Sequence, residues 1–207
     1  TVEQASPVQR AIFRSAIEVG KQVSRLDFEK QPIPLLVKLK HRLAVRLVFS
    51  KIARKLGGEL RFFVSGGAPL SKELAEFFYS VGILILEGYG LTETSPVISV
   101  NRKDRFRFGS VGLPLRSVET RIAPDGEILV RGPSIMLGYY QEEAATREVL
   151  RDGWFYTGDL GSIDANGFLT ITGRKKDILV TSGGKNVSPQ NIENLILADP
   201  LISQAVV

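Results

Sequence analysis

The chain has 207 residues, 43% hydrophobic and 24% charged, a globular composition that excludes disorder and leaves room for one large domain, or one domain and part of another. With no cysteine and one histidine (His41), disulfide frameworks, thiolate metal sites and cysteine nucleophiles are excluded, and most triad hydrolases with them. The net charge of +5 is local: Lys38, Lys40, Arg42, Arg46, Lys51, Arg54 and Lys55 are seven basic residues without an intervening acid, leaving −2 for the rest. Such a localised charge does not argue for nucleic acid, and the segment lacks the interleaved aromatics of a single-strand binder. No apolar run reaches the ~18 residues of a membrane span and no leader pattern opens the chain, so a cytoplasmic protein is expected.

Ser6-Pro7 is an N-cap and first position for a helix carrying Val8, Ile12, Ala16, Val19 and Val23 at helical spacing. Gln31-Pro32-Ile33-Pro34 is a linker, and a second helix follows with Leu36, Leu39, Leu43 and Leu47 on one face and Lys38, Arg42 and Arg46 on another. Its apolar stripe is expected in the core, with the basic face either solvated or resting on anionic lipid as a peripheral membrane contact.

From Leu60 the pattern becomes strand, helix, strand: Leu60–Val64, then Ser71–Ser80 with Leu74, Phe77 and Phe78 inward, then Ile83–Leu86. A unit of this length makes the strands parallel. Each strand is expected to end in a glycine-bearing loop, Ser65-Gly66-Gly67 and Gly88-Tyr89-Gly90, and ligands of open α/β sheets sit at such strand ends. After Gly109 the grammar is β: hairpins turn at Pro124-Asp125-Gly126 and at Asp164–Gly167, with a short helix near Glu142–Leu150 between them. Gly173-Arg174-Lys175-Lys176-Asp177 is a charged interruption before a new strand–loop–helix, capped by Ser188-Pro189, and Ser203–Val207 reads as a last strand.

In Gly88-Tyr89-Gly90-Leu91-Thr92-Glu93-Thr94, the glycines let backbone approach a ligand, the ring offers a face to a base, Thr92 a donor to phosphate and Glu93 a ligand to Mg²⁺. The same residues also suit a buried turn with a surface Glu. Asp159, in Trp154-Phe155-Tyr156-Thr157-Gly158-Asp159, could accept from a vicinal diol or simply cap the turn after its strand. Arg174 is either a fixed cation for ribose or phosphate or part of a solvated cluster. Gly183-Gly184-Lys185 is by itself a weak anion signal.

Together, Ser65-Gly-Gly-Ala-Pro-Leu70, Gly88–Thr94, Trp154–Asp159 and Gly173–Asp177 resemble, in order, the motifs of the adenylate-forming acyl-CoA synthetases, as do Gly109–Pro114 and Gly138-Tyr139-Tyr140. The wording is most similar to bacterial long-chain fatty-acid–CoA ligases. The resemblance implies an α/β fold: residues 1–108 as the α/β part of a large ATP-binding domain, 109–175 as its β-rich, barrel-like subdomain, and 176–207 as the start of a small α+β lid. It implies ATP, Mg²⁺, a fatty acid and CoA as substrates and cofactor. Gly66, Gly67, Ala68 and Gly90 would lie at the nucleotide, Tyr89 and Ile171 against adenine, Thr92 on the phosphates and Glu93 on the metal. Asp159 would take the ribose hydroxyls, Arg174 ribose or phosphate, Lys176 the hinge, and Gly183-Gly184-Lys185 the loop of the thiol step.

The family's Ser/Thr/Gly-rich phosphate loop and its terminal catalytic lysine find no counterpart in these residues, so the chain is expected to be a fragment and inactive alone. The rivals are an acyl-acyl-carrier-protein ligase and a non-catalytic nucleotide-binding relic; the intact Thr92, Glu93, Asp159 and Arg174 oppose the relic.

Overall fold

The computed structural model describes residues 6–180, 186–197, 199 and 201–207. The chain divides into two compact units, one formed by the chain through Ser65 with Leu70–Leu86, the other by Gly66–Pro69 with Glu87–Val207.

In the first unit, helix α1 (Pro7–Phe28) starts where the sequence marks it, with a reciprocal capping box between Ser6 and Gln9. Helix α2 (Leu35–Ala44) runs through a π-helical turn, Val45–Phe49, into α3 (Ser50–Lys55). Strand β1 (Phe63–Ser65) and α4 (Lys72–Ser80), capped by the Ser71 hydroxyl, lead to β2 (Ile85–Gly90). The core here is Ala16, Ile17, Ala44, Phe49, Val81 and Ile83. Gly20 makes it possible: a Cβ there would lie 2.2 Å from the Ser80 carbonyl and 3.2 Å from the Phe49 ring, so only hydrogen lets α1 close on both.

This packing overturns the expected position of the leucine stripe. Once Ala44 and Phe49 turn inward, Leu36, Leu39, Leu43 and Leu47 face solvent, from 64% to 42% exposed. Leu74 likewise points outward, because α4 buries Ala75 and Ser80 and only half-buries Phe77 and Phe78. Val8 and Ile12, on the first turns of α1, are also exposed.

Strand β2 starts two residues later than expected and absorbs Gly88-Tyr89-Gly90, which is therefore not a loop. These residues pair antiparallel with β3 (Val97–Val100): Gly88 opposite Val100, Tyr89 opposite Ser99, Gly90 opposite Val97. The sheet runs β1-β2-β3-β4, with β4 at Leu113–Pro114. Strand β3 carried no sequence signal because Ser99 interrupts its apolar run; the Ser99 hydroxyl donates to the Val111 carbonyl at 3.0 Å and is fully buried.

In the second unit, β5 (Glu119–Ile122), β6 (Glu127–Arg131), β8 (Trp154–Ile163), β7 (Leu150–Arg151) and β9 (Leu169–Arg174) form an antiparallel five-stranded sheet, with α5 (Glu143–Val149) before β7. Both expected hairpins are present, around Asp125-Gly126 and Asp164–Gly167. Strand β8 is longer than expected, so Asp159 lies inside it and does not cap a turn at its end. Ile98, Val118, Ile128, Val130, Phe155 and Leu169 make the core. After β9, a 3₁₀ turn (Lys175–Asp177) leads to β10 (Leu179–Val180), β11 (Asn186–Val187) and α6 (Pro189–Ile196). Residues 203–207 form no strand; the Val207 N–H donates to Glu193 Oε1 at 3.1 Å instead.

Candidate functional site

Burial alternates along the first part of β8, with Phe155, Thr157 and Asp159 inward, and this period of two carries the Asp159 carboxylate off the surface to 5% exposure. Its neighbours come from two other strands. Tyr89 on β2 donates its hydroxyl to Asp159 Oδ2 at 2.6 Å, and Arg174, ending β9, donates Nε to Oδ1 at 3.0 Å. Register places Arg174 directly opposite Asp159. The Asp159 N–H donates to Thr157 Oγ1 at 3.1 Å, which itself donates to the Ile128 carbonyl at 2.8 Å.

Burial, reinforced by the bond to Asp159, pushes the Tyr89 phenol far above its usual pKa, so it stays a donor. The bond to Asp159 likewise holds Arg174 above the usual guanidinium range. The result is a buried carboxylate flanked by one neutral and one cationic donor, with lone pairs left for further hydroxyl donors.

A cavity of about 610 Å³ opens beside this group, large enough for a nucleotide-sized ligand. Leu91, Glu93, Tyr139, Arg151, Arg174 and Lys176 are among its walls, while Tyr89 and Asp159 stand outside the lining. Glu93 sits on a 3₁₀ turn (Thr92–Thr94) that Thr94 locks by accepting from the Leu91 N–H at 3.0 Å and donating to the Pro96 carbonyl at 2.5 Å. Its Oε1 accepts from the Tyr139 hydroxyl at 2.9 Å, and its carbonyl accepts from the Met136 N–H at 2.8 Å. Desolvation and that bond raise the Tyr139 pKa.

Lys175, at the start of the 3₁₀ turn, bonds Asp125 Oδ2 at 2.6 Å and Glu127 Oε2 at 2.9 Å, and Glu127 also accepts from the Gly158 N–H at 2.9 Å. These bonds raise the Lys175 pKa and lower that of Asp125, so both stay charged near neutral pH.

The structure therefore gathers Tyr89, Asp159 and Arg174 into one bonded group, and Glu93, Arg174 and Lys176 around one cavity. Thr92 is exposed and outside the cavity lining. Gly66, Gly67 and Ala68 are exposed too; Gly67 has φ +84°, and a Cβ on Gly66 would sit 3.5 Å from the Gly88 carbonyl. Gly90 has a structural reason to be glycine, since a Cβ would fall 1.7 Å from the Pro96 carbonyl. Ile171 packs on the β-sheet core. Gly183, Gly184 and Lys185 lie outside the described residues. Sequence reasoning did not single out Tyr139, Lys175 and Glu127. Tyr139 and Lys175 lay inside quoted motifs, but only the fold reveals which carboxylates they reach.

No group of three or more metal-type side chains occurs among the described residues. A magnesium ion needs no such group when phosphate oxygens and water complete its shell, and a single Glu93 carboxylate at a polar cavity fits it.

Helices, a four-stranded sheet and a cavity beside a five-stranded antiparallel sheet make this a mixed α/β fold. A family model described as "AMP-binding enzyme" matches residues 23–140. The chain belongs to the AMP-binding enzyme family, as its motifs implied. It is 52% identical over 173 residues to the long-chain-fatty-acid–CoA ligase FadD15 of Mycobacterium bovis, covering 84% of this chain and 29% of that protein. The long-chain-fatty-acid–CoA ligase of Escherichia coli O157:H7 is 41% identical over 157 residues, 70% of this chain and 28% of that one. The o-succinylbenzoate coenzyme A synthetase of Bacillus subtilis, solved with ATP and magnesium, superposes with a TM-score of 0.66 at 32% identity, over 76% of this chain and 37% of that one. The chain thus spans less than a third of the curated relatives it matches.

Proposed function

We propose that this chain supplies the ribose- and metal-binding side of an ATP-dependent acid–thiol ligase acting on long-chain fatty acids. The fatty-acid carboxylate attacks the α-phosphorus of ATP, pyrophosphate leaves, and an acyl-AMP mixed anhydride forms. The thiol of CoA then attacks the acyl carbonyl carbon and AMP leaves with the electron pair. The observation that carries this reading is the buried Asp159 carboxylate, held between Tyr89 and Arg174 beside the cavity that Glu93 walls.

In this reading Asp159 accepts the ribose hydroxyls with its remaining lone pairs. Arg174, whose side chain is 61% exposed, can turn one face to the nucleotide while its Nε stays on Asp159. Tyr89 presents its ring to adenine, with Gly66, Gly67, Ala68 and Gly90 as neighbouring backbone, and Thr92 donates to phosphate. Glu93, oriented by Tyr139, would hold magnesium, which supplies neutralisation of phosphate charge. Lys176 is the pivot between residues 109–175 and a lid beginning at 176. The relatives named above as long-chain-fatty-acid–CoA ligases support the choice of acid and thiol.

The test is pyrophosphate release by the intact protein over carboxylic acids of rising chain length, followed by thioester formation with CoA. Release that peaks with long-chain acids supports the proposal. Release with none of them, or dependence on a carrier-protein thiol in place of CoA, refutes it.

A further inference from the structure

Strand β8 leaves its regular pairing with β6 just before Asp159. Tyr156 is opposite Leu129 and Leu160 opposite Glu127, so residues 157–159 share the space across from Ile128 alone. Such a bulge bends its strand and re-aims the side chains beside it. Gly158 lies in it at φ +73°, where a Cβ would meet nothing within 4 Å, so glycine serves the backbone conformation there and not close packing. Side-chain oxygens take the two amides that follow Thr157. Glu127 Oε1 accepts from the Gly158 N–H at 2.9 Å, and Thr157 Oγ1 accepts from the Asp159 N–H at 3.1 Å. Glu127 Oε2 accepts from Lys175 Nζ at 2.9 Å. Gly158 precedes Asp159 and Lys175 follows Arg174, and Asp159 and Arg174 are partners in the register of β8 and β9. One carboxylate, on a residue only 5% exposed, therefore grips both strands one residue beyond that pair.

We infer that Glu127 and Thr157 are positioning residues that brace this bulge and so aim the Asp159 carboxylate. The inference rests on the reading of Asp159 as acceptor of the ribose hydroxyls. Glu127 spends one oxygen on the bulge and the other on Lys175, so it acts on the nucleotide through Asp159 and not by contact. Thr157 completes the brace by donating to the Ile128 carbonyl at 2.8 Å, which ties the bulge back to β6. Hydrogen bonds weaken steeply away from good geometry, and a binding group has to be held to within about 0.5 Å. A bulge released from either side chain would lose aim at the hydroxyls and leave contacts to adenine and phosphate in place.

Calorimetry of the intact protein with ATP and with 2′,3′-dideoxy-ATP tests this. Glu127→Met keeps the length of the side chain and removes both acceptors. It is expected to weaken ATP by about three- to ten-fold and the dideoxy analogue by about two-fold at most. Thr157→Val is expected to show the same bias. Glu127→Gln, whose amide oxygen can still accept from Gly158, is expected to keep the preference for ATP. In an Asp159→Ala background, Glu127→Met should cost ATP nothing further, because its route to the nucleotide is gone. Equal losses for both nucleotides, an unchanged preference in Glu127→Met, or a Glu127 effect that persists without Asp159 overturns the proposal. If Glu127→Met fails to fold, Thr157→Val carries the test, and an unbiased loss there overturns it. A wild-type protein that binds both nucleotides equally would overturn the ribose reading itself, and the positioning roles with it, so the two failures are distinct.

Discussion

The Tyr89 hydroxyl stands 2.6 Å from Asp159 Oδ2 across seventy residues of sequence, joining β2 to β8 through the one carboxylate that Arg174 also grips. The Asp159 carboxylate is 5% exposed and has a donor on each oxygen. Removing one leaves a buried charge short of a partner, at a cost of about 1–3 kcal/mol. Tyr89→Phe, which keeps the ring, is therefore expected to weaken ATP binding by the intact protein measurably, and Tyr89→Ala to weaken it more. Asp159→Ala is expected to weaken ATP far more than 2′,3′-dideoxy-ATP. Calorimetry with both nucleotides checks this; equal losses would make Asp159 a purely structural carboxylate.

The Tyr139–Glu93 bond carries the second expectation. The phenol is held protonated, so it always donates and restrains the Glu93 carboxylate at the cavity wall. Tyr139→Phe is expected to raise the magnesium concentration needed for half-maximal pyrophosphate release by about two- to ten-fold, the scale of one lost hydrogen bond of ordinary net strength. Glu93→Gln is expected to leave ATP binding in place and depress release more severely, because a neutral amide is a poor magnesium ligand. An unchanged magnesium titration in Tyr139→Phe would assign the bond to loop stability.

Much of this was legible in the sequence for local reasons. Ser6-Pro7, Ser71 and Asp125-Gly126 carry cap and turn chemistry within a few residues, and each marks its element to within one or two positions. The motif residues Tyr89, Glu93, Asp159 and Arg174 were legible as a set, but not the bonds among them, because those depend on strand register. The leucine stripe misled because periodicity reports which residues share a face and says nothing of which face meets the core. Gly20 decided that by admitting Phe49. Strand β2 was misjudged at Gly88–Gly90, where Gly90, read as part of a loop, is needed for close approach to the backbone of Pro96 beside β3.

Tyr79 makes the third prediction. Its hydroxyl donates to Asp27 Oδ2 at 3.1 Å, tying α4 to α1, and burial with that bond lifts its pKa to about 12. The folded value lies above the ordinary ~10 of tyrosine, so the protonated form is favoured in the fold. This stabilisation is complete below pH 10 and is lost as pH rises through 12. Because Asp27 is exposed, solvent screening reduces the effect to the order of 1 kcal/mol. Urea titrations of wild type and Tyr79→Phe should differ at pH 8 and converge toward pH 12. A constant difference across that range would refute the assignment.

The last prediction separates two adjacent lysines. Lys175 is fixed by Asp125 and by Glu127, which is 5% exposed, while Lys176 follows in the same 3₁₀ turn at the cavity wall. One residue is an anchor and the next is the proposed pivot. Lys175→Met leaves the Glu127 carboxylate with only the Gly158 N–H among its described donors, so the expected result is a less stable protein whose two half-reactions fall together. Lys176→Pro acts differently: proline fixes φ near −65° and removes one torsion on which a lid rotation would draw. Stability should change little, adenylation by a few-fold at most, and thioester formation by about ten-fold or more, because only the second step would draw on the rotation. Pyrophosphate release and transfer of preformed acyl-AMP to CoA, measured separately on each variant, distinguish the outcomes. Matched losses in Lys176→Pro would move the pivot elsewhere, and a selective loss of thioester formation in Lys175→Met would show that the anchor itself must open.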